Sequence, residues 1–150
     1  MQRWIVVGGL VLMLLFGGAI YAYSNYKQGR PHPVWVPLPI NPEVPEEKRL
    51  EIATNLKTKL SSDEVLIQVS KDLGLPAKME LSSDAEAADK IRNRLFVDVG
   101  EMESPRGRVP SINIGVKGKA REHKLSGEIS MRLMEDVWKI LGIKPPPKKS

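Results

Sequence analysis

The residues of this 150-residue chain that could do chemistry are two histidines, scattered carboxylates and one lysine-bearing turn. His32 lies in a proline-rich stretch and His123 near the start of a helical one. Neither has a second His, a Cys or a carboxylate cluster at metal-ligand spacing. Glu122 adjoins His123 but points about 100° away on a helix, so it is no co-ligand, and His123 reads as a solvent-facing residue. Ser24-Asn25-Tyr26-Lys27 matches S-x-x-K without the companion motifs that activate such a serine. The nucleophile elbow, the phosphate loop and the dinucleotide glycine pattern are missing from the sequence. No catalytic, cofactor or metal residues are assigned, and the chain is expected not to be an enzyme. It has no Cys, which excludes disulfide and thiol chemistry.

The most suggestive local feature is Gly115-Val116-Lys117-Gly118-Lys119-Ala120-Arg121. A glycine-containing turn feeding a helix start, with Lys117, Lys119, Arg121 and Lys124 along it, could hold an anion. The plainer alternative is a strand-to-helix turn whose lysines stand in water. The chain has 23 Lys and Arg against 18 Asp and Glu, a net charge of +5. An excess this mild, with no basic stripe, argues against nucleic acid as a partner.

The elements that position these residues begin with an apolar segment. Trp4 to Tyr23 is uncharged and almost wholly apolar, aromatic or Gly, and as a helix it would reach roughly 30 Å, the thickness of a bilayer core. Trp4 at one end, and Tyr21, Tyr23 and Tyr26 at the other, suit the two headgroup levels. The expectation is a transmembrane anchor over 1–26 in a single-pass plasma (inner) membrane protein, with the C-terminal domain on the outer side. A cleaved signal peptide ending at Ala22-Tyr23-Ser24 is the alternative.

Residues 27–45 read as a semi-rigid proline-rich linker in which Val34 to Ile40 could form an edge strand. An α+β domain is expected over 46–143. A first helix carries Leu50, Ala53, Leu56 or Lys57, and Leu60. A second starts at a Ser61/Glu64 capping box, buries Val65, Leu66, Val69 and Leu73, and ends at Gly74, with Pro76 blocking resumption. A third starts at a Ser83/Glu86 box and buries Ala85, Ala88, Ile91 and Leu95. Strands over Leu95 to Val99 and Ser111 to Val116 form a hairpin with a long loop around Ser104-Pro105-Arg106-Gly107. A last helix, about Ala120 to Leu141, places Leu125, Ile129, Leu133 and Val137 on one face. Residues 144–150 read as a disordered tail. The fold class is α+β: an N-terminal transmembrane helix followed by a small two-layer α/β sandwich, its short antiparallel sheet covered by helices on one face.

Val65 to Leu75 (VLIQVSKDLGL), Glu86 to Val99 (EAADKIRNRLFVDV) and Ser111 to Val116 (SINIGV), followed by the helix to Trp138, resemble the N-terminal half of Wzz-type polysaccharide chain-length determinants, the polysaccharide co-polymerases. The resemblance implies a membrane-proximal, self-associating domain in the cell envelope, with no catalytic residues to carry over. That family's long helical hairpin and second membrane helix have no counterpart within these 150 residues. Gly118-Lys119-Ala120-Arg121 stands where the family has aspartate-proline.

Two functions are therefore expected in parallel. One is a membrane-anchored interaction domain, a homo-oligomer or part of an envelope protein assembly, in polysaccharide biosynthesis through chain-length control or export. The other is a domain that binds an anionic glycan or lipid headgroup through Lys117, Lys119, Arg121 and Lys124. Trp138 is the candidate for self-association, because it falls about 100° from Val137 around the helix.

Overall fold

The computed structural model describes the backbone of residues 2–146 and the side chains of residues 15–146. Along the chain run α1 (Gln2–Gln28), β1 (Pro31–Pro39), α2 (Glu46–Leu60), α3 (Asp63–Leu73), α4 (Leu75–Met79), α5 (Asp84–Arg94), β2 (Leu95–Ser104) and β3 (Gly107–Lys119). A 3-10 turn at Ala120–Glu122 then leads into α6 (His123–Leu141).

Among the described residues no helix is long and apolar enough to cross a membrane. The transmembrane helix of the expected fold class is therefore withdrawn, together with the single-pass topology and the plasma-membrane localisation. The described side chains of α1 run only from Leu15 to Gln28 and include Ser24, Asn25, Lys27 and Gln28. Positions 4–14 of the expected span lie outside the described side chains. What is found is a small α+β domain with one three-stranded antiparallel sheet, in the order β1-β3-β2.

Within the proline-rich segment, where an edge strand was expected over Val34 to Ile40, β1 runs over Pro31–Pro39 at the edge of the sheet. Pro31, Pro33, Pro37 and Pro39 all occupy odd positions of β1, and a proline has no N–H to give a partner. The even residues therefore face β3, as the Ile40 amide does in donating to the Pro110 carbonyl at 2.9 Å. The outer edge of β1 keeps only Trp35 as an odd-position donor, which protects it against further strand addition.

The hairpin is tighter than expected. β2 and β3 pair from Leu95↔Val116 to Ser104↔Gly107, leaving only Pro105 and Arg106 as the loop. Gly107 has φ +107, and the Ser104 hydroxyl donates to its carbonyl at 2.8 Å.

Strand parity divides the sheet into two faces. Val34, Val36 and Leu38, with Ile112, Ile114 and Val116, and with Leu95, Val97 and Val99, point toward α2 and α6. The core lies there, with Leu56, Leu60, Ile129, Leu133 and Val137 buried against it. Trp35, Phe96, Asp98, Asn113 and Lys117 occupy the opposite face.

Helix boundaries also differ from the sequence pattern. Ser62, not Ser61, caps α3, and its hydroxyl accepts from the Val65 amide. Ser61 instead ends α2. Ser83 caps α5, but the Glu86 carboxylate accepts from the Ser82 amide and hydroxyl rather than closing a box on Ser83. Pro76 does not block a helix: it sits in the first turn of α4, where a missing N–H costs no bond. Leu50 is 52% exposed, and on α5 Ala87 is buried where Ala85 was expected. Residues 147–150 of the expected tail lie outside the described residues.

Candidate functional site

Lys117 and Lys119 lie within β3, two residues apart, so both project from the open face of the sheet. Arg121 follows in the 3-10 turn and Lys124 in the first turn of α6, and all four are exposed. Register adds cations from the other side: Pro31 pairs with Lys119, and the Ala120 amide donates to the Arg30 carbonyl at 3.0 Å. Lys27 and Arg30 thus join the same end of the domain. The Arg30 guanidinium lies 4.8 Å from the centre of the Tyr26 ring.

The backbone part of the expected anion site is already occupied. A Glu122 carboxylate oxygen accepts from the Lys119 amide at 2.9 Å and from Arg94 Nη1 at 3.3 Å. Burial opposes its ionisation, yet the Lys119 amide and Arg94 outweigh burial and hold its carboxyl below the usual range. An incoming anion would therefore meet side-chain cations, not free amides at a helix start. None of the ion pairs among the described residues uses Lys117, Lys119, Arg121 or Lys124. A hollow of about 250 Å³ opens here, lined by Gly29, Pro31, Arg94, Lys117, Gly118, Lys119 and Glu122.

Lys117 also borders a second hollow on the sheet face. That one is about 230 Å³, between Trp35 and Phe96, with Pro33, Asp98 and Asn113 completing it. Lys117 Nζ lies 5.9 Å from the centre of the Phe96 ring, within reach of its negative face.

The sequence pattern missed Arg94, Asp98 and Asn113. For Asp98 and Asn113 the signal was strand parity, since they share the face opposite Ile112, Ile114 and Val116, whereas Arg94 ends α5 and joins the site through Glu122. It also left the histidines unconnected, whereas His32 and His123 place their ring centres 5.0 Å apart. No third ligand joins them: among the described residues no group of three His, Cys, Asp or Glu could hold a metal ion.

Trp138 lies elsewhere, on α6. It is half-buried against the core and borders an apolar groove of about 530 Å³ with Met131, Ile143, Pro145 and Pro146. Gly142 adopts the left-handed conformation, and the Ile143 amide returns to the Trp138 carbonyl at 2.9 Å, folding the chain end back beside the ring.

Set against protein-family models, curated proteins and solved structures, the chain matches none of them.

Proposed function

We propose that the domain is a binding module that takes an anionic chain along the basic end of its open sheet face. One observation carries the reading. Lys117 and Lys119 project side by side with no ion-pair partner among the described residues, and Glu122, the one carboxylate lining their hollow, is committed to Arg94. Cations left free around a concavity attract anionic oxygens and raise their local concentration. The resemblance to chain-length determinants gains nothing from the comparisons, so the proposal stands on charge geometry. Glycan carboxylates or sulfates and lipid phosphates share this chemistry.

The test is salt elution of the full chain from immobilised dextran sulfate, beside flotation with phosphatidylglycerol vesicles. Lys117→Glu/Lys119→Glu should abolish retention, while Lys57→Glu/Lys59→Glu on α2, with the same charge change, should weaken it only slightly. Equal losses in the two variants would leave net charge alone as the cause and overturn the site. Vesicle binding without dextran sulfate retention would assign the basic end to lipid rather than glycan.

A second reading, self-association through α6, is favoured by the groove beside Trp138. Met131 at its edge is 52% exposed and Ile143 47%, an apolar surface at which a second copy could bind.

A further inference from the structure

The open sheet face carries a row of residues directly across its three strands: Trp35 on β1, Gly115 on β3 and Phe96 on β2. Gly115 keeps the floor between the two rings bare. A Cβ there would stand 2.0 Å from the Val34 carbonyl oxygen and 2.7 Å from the Trp35 Cα. The neighbouring rows supply polar groups: Asn113 and Asp98 on one side, Lys117 on the other. Trp35 is 48% exposed, although a large aromatic ring is costly to leave in water.

The polar rim is unspent. Asp98 is exposed and takes part in no ion pair among the described residues. The Ser111 hydroxyl donates to the Asn113 carbonyl oxygen at 3.1 Å, and the Asn113 amide nitrogen lies over Gly100, where a Cβ would meet it at 2.7 Å. An apolar floor with two aromatic walls is thus bordered by an acceptor, Asp98, and a cation, Lys117.

Resting on the binding reading above, we propose that this hollow seats one ring of an acidic sugar, a uronate unit of an anionic glycan. A pyranose has apolar C–H faces and a rim of hydroxyls. The faces suit Trp35 and Phe96, and the hydroxyls can donate to Asp98. The carboxylate then falls to Lys117, which borders both this hollow and the basic one holding Lys119 and Arg94. A glycan could therefore run from the aromatic slot into the basic end without a break. At about 230 Å³ the slot is smaller than the pockets of drug-sized ligands, so it suits a single ring. A nucleobase would stack equally well, but it lacks the rim of hydroxyls that can donate to Asp98.

The experiment is calorimetric titration of the full chain with trigalacturonate, maltotriose and a short oligodeoxyadenylate. Trigalacturonate should bind best, and Trp35→Ala should weaken it about tenfold, with Trp35→Phe restoring most of the loss. Dextran sulfate retention should persist in Trp35→Ala, and a cooperative melting transition shows that this variant is folded. No trigalacturonate binding, or equal binding in Trp35→Ala, would overturn the slot while leaving the basic end intact if dextran sulfate is still retained. Loss of dextran sulfate retention by the unmodified chain would remove the wider reading instead. Tighter Trp35-dependent binding of the oligodeoxyadenylate would overturn the sugar in favour of nucleic acid.

Discussion

Arg132 on α6 grips Asp72 on α3 through two nitrogens, with Nη2 2.7 Å and Nε 3.0 Å from the same carboxylate oxygen. Its third nitrogen, Nη1, reaches Asp136 one turn further along α6 at 2.9 Å. The Arg132 side chain is only 11% exposed, so what looks in sequence like a surface arginine is a clamp between two helices. Truncating one partner of such a cluster strands the other charges. Arg132→Ala should lower the melting temperature well beyond Lys71→Ala, an exposed neighbour of Asp72. A double-mutant cycle with Asp72→Asn should show coupling; additive effects would mean that the clamp contributes nothing.

Acid should release this clamp. The Arg132 and Gln68 hydrogen bonds hold the Asp72 carboxyl below its ordinary value of 3.8. Glu86, bonded by the Ser82 amide and hydroxyl, and Glu128, bonded by Lys78, are likewise held below 4.5. A carboxyl lowered in the folded state binds its proton later than in the unfolded chain, so its contribution is complete above the unfolded value. That contribution disappears as the pH falls through the lowered folded values. Urea midpoints should be flat from neutrality to about pH 5 and fall below about pH 4. Asp72→Asn should flatten that fall, and an unchanged slope would remove Asp72 as a contributor.

Which parts of this fold could be read from local sequence follows from how far each signal reaches. Ser83 as a cap, Gly74 and Gly142 as left-handed stops and the Ile129, Leu133, Val137 stripe depend on neighbours within a turn or two. β1 depends on β3, about 80 residues on, and prolines read locally say only that the chain is extended. Their shared parity was the remaining clue to an edge strand. The site was less legible for the same reason. Lys117 and Lys119 announced themselves, but Asp98 and Trp35 reach them only through strand pairing, and Arg94 only through Glu122.

Leu133 is fully buried in the core that also holds Ile112, Ile114 and Val116, where α6 contacts β3. Leu133→Ala removes that contact and leaves a cavity, at a cost of about 2–5 kcal/mol. Met131→Ala, on the exposed side of the same helix, should cost under about 1 kcal/mol. Chemical denaturation of the full chain measures both, and similar values would mean that the helix is not seated on this face.

Two glycines should respond in opposite directions to the same change. At Gly127, inside α6, a Cβ meets nothing within 4 Å, so Gly127→Ala should stabilise by about 0.5–1 kcal/mol through helix propensity. At Gly115 a Cβ collides with the backbone of β1, so Gly115→Ala should destabilise by about 1–3 kcal/mol. Hydrogen exchange would locate the damage: protection should drop first at Val34 and Val36. A loss spread evenly over the domain would place the strain elsewhere than the β1–β3 pairing.

Self-association through α6 can be tested without relying on Trp138 alone. Trp138 is half-buried against the core, so Trp138→Ala would weaken folding and any interface together. Met131 borders the same groove, 52% exposed, and can be changed with little cost to the core. The groove alone covers less than the roughly 1,000 Å² of a stable interface, so association should be weak and concentration-dependent. Sedimentation of the full chain should show species heavier than the monomer as its concentration rises from the low micromolar range toward millimolar. Met131→Asp would bury a charge in the contact and should return the chain to monomer with its melting temperature unchanged. A monomer at every concentration would remove self-association, and unaltered oligomers in Met131→Asp would move the contact to another face.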